Sequence, residues 1–142
     1  MTETINNVET LFKEALERYR NFEAVSTLIP VFKEICDRSS KSPVAWTCLA
    51  WLYLLENNPK KGLEAAKKSV KLHAQDAQAQ INLALAKLES GSKGVRNHIE
   101  LAQQIMLVDK DSAKEVNESI EDGLTRKPDW KNLLRIKKWL DE

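Results

Sequence analysis

The sequence predicts an all-α fold of antiparallel helix hairpins stacked side by side. Three observations predict it. Apolar residues recur at helical spacing almost from end to end. Only four glycines and four prolines occur in 142 residues, too few for the many turns of a β architecture. The hairpins also superimpose on one another under a shift of 34 residues.

The elements follow in order. Leu11, Phe12, Ala15, Leu16 and Tyr19 form a first stripe, and Val25, Leu28, Val31, Phe32 and Ile35 a second. Pro30 sits badly inside that second helix, because it removes a hydrogen bond and crowds the preceding turn. A later start, near Ser26 or Thr27, is favoured over a kink. DRSSKSP then breaks the pattern, with Ser42 placed to cap the next helix and Pro43 at its first position. That third helix carries AWTCLAWLYL, ten residues without a charge, and ends near Glu56. NNPKKG turns the chain and LEAAKKSVKL returns. Asp76 caps QAQINLALAKLE, SGSKG turns again, and VRNHIELAQQIMLV follows. Ser112 and Glu115 have capping-box spacing ahead of Val116, Ile120 and Leu124. RKPD breaks the chain before a last helix bearing Trp130, Leu133, Leu134, Ile136, Trp139 and Leu140.

The repeat shows in the superposition. A shift of 34 carries Phe12, Ala15, Leu16 and Tyr19 onto Trp46, Leu49, Ala50 and Tyr53, and a second onto Gln80, Leu83, Ala84 and Lys87. In the returning helices Phe32 and Ile35 map onto Ala66 and Ser69, and a two-residue insertion in SGSKGV carries these onto Ala102 and Ile105. Trp46, Leu49, Ala50 and Tyr53 match the W-x2-L-G/A-x2-Y order of a tetratricopeptide (TPR) unit, with Gly62 at the small-residue position and Ser69 at the usual alanine. Over about residues 9–110 the chain resembles that family. The departures are Ala74 at the closing proline, and Gln80 and Lys87 in place of the third unit's aromatic markers. The resemblance implies a right-handed α-solenoid in one domain, 1–142, with units of about 9–42, 43–76 and 77–111 and a C-terminal pair or cap of about 112–142.

A stack answers what covers AWTCLAWLYL. Trp46, Leu49, Ala50 and Tyr53 share one helical face, Val44, Thr47, Trp51 and Leu54 a second, and Cys48, Leu52 and Leu55 a third. One hairpin cannot cover three faces; a unit with neighbours on both sides can.

The resemblance further implies that the second face lines a concave groove. Its counterparts are Gln78, Ile81, Leu85 and Leu88 in the third unit and Thr10, Lys13, Glu17 and Arg20 in the first. The expected groove is charged at one end, through Lys13, Glu17 and Arg20, and apolar beyond. Two arrangements suit so apolar a face: the C-terminal helix folds back into it, or a partner's apolar segment docks there. The chain's own apolar ending tips the balance narrowly to the first. Where a partner docks, the contact residues are Lys13, Glu17, Arg20, Thr47, Trp51, Leu54, Gln78, Ile81, Leu85 and Leu88.

The functional expectation is a protein–protein interaction scaffold or assembly factor without catalysis, cofactor or metal. The alternative is self-association through the C-terminal helix, and a helical-repeat RNA-binding protein ranks third. The clamp by which some TPR domains hold acidic tails fails here, because Glu17 and Cys48 stand where asparagines are expected, Gln78 replaces a lysine and Asn82 an arginine. His73 and His98 have no Cys or acid at ligand spacing, and no phosphate loop or nucleophile motif occurs. Glu115, Glu118 and Glu121 resemble a solvated helix face. Lysine and arginine number 22 against 21 acids, which argues against nucleic acid despite basic clusters at Lys60–Lys71 and Arg126–Lys138. With 42% apolar and 30% charged residues the composition is globular. Cys36 and Cys48 fall on apolar faces, as buried free thiols do in a reducing compartment. MTETINNVE lacks the order of a signal peptide, and no run reaches the roughly 18 apolar residues of a spanning helix. A cytoplasmic protein, at most peripheral to a membrane, is the expectation.

Overall fold

The computed structural model describes residues 2–142, with side chains from Asn7 onward, so the reading of MTETINNVE lies largely outside the described side chains. Among the described residues eight helices follow one another: α1 (Thr2–Arg20), α2 (Val25–Arg38), α3 (Pro43–Leu55), α4 (Pro59–Leu72), α5 (Ala77–Ser90), α6 (Val95–Val108), α7 (Lys110–Arg126) and α8 (Lys131–Leu140). They pair as four successive hairpins in a TPR-like stack, with no strand among the described residues.

Local chemistry sets the boundaries. Ser42 Oγ accepts from the Ala45 amide at 3.3 Å, Asn58 Oδ1 from Lys61 at 3.3 Å, and Asp76 Oδ1 from Gln78 at 3.2 Å. Each satisfies an amide that the first helical turn leaves free, and Pro43 and Pro59 occupy first positions where no amide is missed. Gly91 ends α5 in the left-handed region, at φ 73°.

Three boundaries differ from the sequence reading. The helix after NNPKKG already begins at Pro59, so the turn is shorter than expected. Asp109, not Ser112, caps α7: one carboxylate accepts from the Asp111 and Ser112 amides at 3.1 and 3.3 Å, and the Ser112 hydroxyl donates to it at 2.9 Å. An aspartate three residues upstream took the role that Ser112 offered, leaving one residue between α6 and α7. Pro30 does lie inside α2, which starts at Val25. It sits in the second turn and is exposed to solvent, where the Ser26 carbonyl left without its helical donor can turn to water.

The apolar third helix is enclosed as the stack requires. Trp51, Leu52, Tyr53, Leu54 and Leu55 are all buried, Trp51 retaining 9% exposure and Leu54 1%. α2, α4 and α5 pack around it, and one cluster of buried side chains runs from Ala15 in α1 to Ile136 in α8. Ser69, at the usual alanine position, is fully buried, with its hydroxyl bonded to Thr47 Oγ1 and within 3.3 Å of the Pro43 carbonyl.

The third unit holds its hairpin differently. Gln80, Lys87 and His98 stand where the middle unit has Trp46, Tyr53 and Gly62. Lys87 Nζ, which can only donate, lies 2.9 Å from His98 Nε2. His98 Nδ1 therefore carries the proton and donates to Gln80 Oε1 at 2.7 Å, while Gln80 Nε2 donates to the Ala74 carbonyl at 2.8 Å. A polar chain replaces aromatic packing between α5 and α6. Burial, helped by Lys87, holds the His98 pKa below its ordinary value.

Candidate functional site: a cleft beside a self-covered groove

The C-terminal hairpin folds into the concave face. Gly123 of α7 makes this approach possible, because a Cβ there would lie 2.7 Å from Leu133 Cδ2 and 2.9 Å from the Trp51 ring. The Trp51 and Trp130 ring centroids stand 5.6 Å apart. Trp130 Nε1 and Asn132 Nδ2 both donate to the Glu89 carboxylate at the end of α5, the latter at 2.8 Å. Lys127 Nζ donates to Asn57 Oδ1 at 2.7 Å and lies 4.0 Å from the Trp130 ring centroid.

A second clasp joins the first unit to α7. Trp51 Nε1 donates to Tyr19 Oη at 2.9 Å, and Tyr19 in turn donates to the Asp122 carboxylate. Arg126 holds Asp122 from Nε at 3.0 Å, donates to the Tyr19 carbonyl at 2.8 Å and stacks 3.8 Å from the Tyr19 ring centroid. Burial first, then Asp122, raises the Tyr19 pKa, so its hydroxyl remains a donor.

These contacts divide the expected groove. Leu54, Ile81 and Leu85 are 1%, 0% and 0% exposed, and Leu88 is half-buried. They belong to the core: α7 and α8 lie on α5, which carries Ile81, Leu85 and Leu88, while Leu54 packs on Gly62 of α4, where a Cβ would stand 3.0 Å from Leu54 Cδ2, and no partner reaches them in this conformation. Lys13, Glu17 and Arg20 are exposed, with Arg20 and Glu17 paired at 3.4 Å, but Lys13 and Glu17 lie outside the cleft that remains. Thr47 turns its hydroxyl inward to Pro43 and Ser69.

What remains open is a cleft of about 760 Å³ between the first turns of α3 and α5, the end of α1, and α7. Arg20, Thr47, Trp51 and Gln78 of the expected contact set line it. Val44, 51% exposed, and Cys48 add apolar floor, while Asp111, Glu115, Glu118 and Asp122 form the opposite wall. Burial pushes the Cys48 thiol up to about 12, so it is an apolar surface and not a nucleophile.

Sequence reasoning missed this wall and both clasps. The 4–3–4 spacing of its acids marks one face of α7 and was readable. So was Gly123: a glycine inside a helix costs about 1 kcal/mol against alanine and signals close packing. Of the C-terminal basic cluster, Arg126 and Lys127 are drawn into the clasps and Lys137 pairs with Glu121 at 2.8 Å.

Fold and cleft together define an all-α, TPR-like helical-repeat protein. No family model matches the chain, and no curated protein matches it by sequence. By structure it is similar to the crystal structure of SycD, a type III secretion translocator chaperone of Yersinia enterocolitica, solved as an alternative dimer. The TM-score is 0.67 over 86% of this chain and 95% of that one, at 14% identity. Likeness at that identity establishes the shared fold. Among the described residues no helix is long and apolar enough to cross a membrane.

Proposed function

We propose that the chain is a non-catalytic protein-binding module, a chaperone or assembly scaffold, that seats an apolar segment of a partner in the cleft between α3 and α7. The observation that carries this is the half-exposed Val44 above Cys48 and the rim of Trp51, in a cleft the C-terminal hairpin leaves open. Its floor offers dispersion contacts and water release, and its polar walls restrict what can enter. The chaperone role named for the structural neighbour supports the same reading. Arg20, Thr47, Trp51 and Gln78 keep their place as contacts; Lys13 and Glu17 act at most on approach, through charge.

The test is a display selection of random twelve-residue peptides on the immobilised chain. Apolar segments should be enriched, and their binding should fall at least about tenfold in Val44→Glu, which buries a charge against the segment. Helicity and melting should not change. Undiminished binding in that variant defeats the reading.

A second reading, self-association, has one observation behind it. Leu107 and Val108 at the end of α6 are 83% and 87% exposed. The expected route through α8 is narrowed, since Trp130, Leu133 and Ile136 are buried within the chain and Leu134 alone of its leucines is exposed. Sedimentation of Leu107→Ser/Val108→Ser against wild type tests it: a dimer that becomes a monomer supports the reading, and identical masses defeat it.

A further inference from the structure

We infer that the α5–α7 end of the cleft receives a lysine or arginine side chain of the docked segment, next to the apolar residue seated on Val44. The inference deepens the docking reading and rests on it.

Four acids of α7 stand in a stripe along the cleft: Asp111, Glu115, Glu118 and Asp122. Two are already engaged. Asp122 is held by Arg126 and Tyr19, and Glu118 lies 3.9 Å from Lys114. Asp111 and Glu115 have no ion-pair partner among the described residues. Partial desolvation on the cleft side, then Asp76 and Asp109, raises the Glu115 carboxyl above its usual range, so the charged groups felt most strongly there are also acidic.

A second observation, independent of those acids, comes from the facing floor. Asn82 Nδ2 donates to the Thr47 carbonyl at 3.1 Å, which fixes the orientation of that amide. Its Oδ1 must then face Gln78, and accepts from Gln78 Nε2 at 2.8 Å. The order of donors leaves Gln78 Oε1 pointing away as a buried acceptor that no protein donor reaches, on a side chain lining the cleft and belonging to a residue only 5% exposed. A buried acceptor without a donor costs about 1–3 kcal/mol.

The two surfaces therefore present acceptors: one orphaned amide oxygen and two unpaired carboxylates. A neutral donor could satisfy Gln78 but leave the carboxylates facing each other's charge. An ammonium or guanidinium carries several donors and the opposite charge, and its aliphatic stem suits the apolar floor.

The same random-peptide selection, run on wild type and on Gln78→Leu/Glu115→Gln, decides the matter. The expected result is enrichment of a basic residue adjacent to an apolar one on wild type, with the basic preference lost in the variant. An enriched peptide resynthesised with glutamine at the basic position should bind wild type about tenfold more weakly, the scale of one charge-assisted contact, and Glu115→Gln within about twofold of its parent. Apolar peptides with no basic bias overturn the inference and leave the docking reading standing. A basic bias that survives in the variant overturns it too, as diffuse charge attraction. No enrichment of any peptide removes both. Unchanged melting of Glu115→Gln, whose side chain is exposed, separates these outcomes from unfolding.

Discussion

The two halves of the concave face are built from equivalent helical positions and meet opposite fates. Past the middle of α3 and α5, Trp51 lies against Gly123 and Trp130 of the C-terminal segment, and Leu85 is buried in the helix on which α7 and α8 pack. Toward the beginnings of α3 and α5, Val44 stays open and Gln78 holds an acceptor for which no donor is supplied. The α7–α8 hairpin covers the apolar half of the groove. The remaining half keeps a mixed polar and apolar lining. The lesson is that a repeat position does not determine exposure; what the chain's end does with it determines that.

The sharpest way to break this contrast is to remove the cover. A chain ending after Asp111 lacks α7 and α8 and should expose Trp51, Ile81 and Leu85 together. Aggregation or loss of a cooperative melt is expected, read by light scattering and calorimetry; a soluble, cooperatively melting fragment would show the cover to be dispensable. Next in size, Leu85→Ala should cost about 2–5 kcal/mol, because it leaves a cavity in a packed core. Val44→Ala, on the open half, should stay within about 0.5 kcal/mol. Urea titration of the pair measures the difference between halves directly.

Gly123→Ala sharpens the contrast by lifting the hairpin without removing it. The added methyl meets Leu133 and Trp51, for an overpacking cost of about 1–3 kcal/mol against roughly 1 kcal/mol of gained helix propensity. A net loss is expected, together with a change in tryptophan emission. A more stable Gly123→Ala protein would mean that α7 stands farther from Trp51.

The smallest effect concerns pH. His98 has a folded pKa below its ordinary 6.5, so the unfolded chain takes the proton first as pH falls. This group's contribution is constant above that range, declines as pH drops through 6.5, and levels off below the folded value. Melting followed between about pH 7.5 and 5.5 should show the decline, and His98→Gln should flatten it.

Much of the fold was legible because repetition multiplies weak signals. A single amphipathic stripe is ambiguous; Trp46, Leu49, Ala50 and Tyr53 matching residues 34 positions away are not. The caps at Ser42 and Asp76 were legible because cap chemistry is local. The site was legible only in part. Thr47, Trp51 and Gln78 follow from repeat position, but Ile81 and Leu85 had to be known as covered or open, and that depends on contacts between residues 51, 123 and 133. Tyr19, Asp122 and Arg126 likewise meet across about a hundred residues of chain. The apolar ending carried a hint of the cover, yet not of where the cover stops.

The most direct measurement is the set of nuclear Overhauser contacts to the Trp51 indole. Cross-peaks are expected from its ring protons to the Gly123 α-protons and the Leu133 methyls, and none from those groups to Val44. Missing contacts to Gly123 and Leu133 in a folded sample would place the final hairpin elsewhere and contradict the division of the groove.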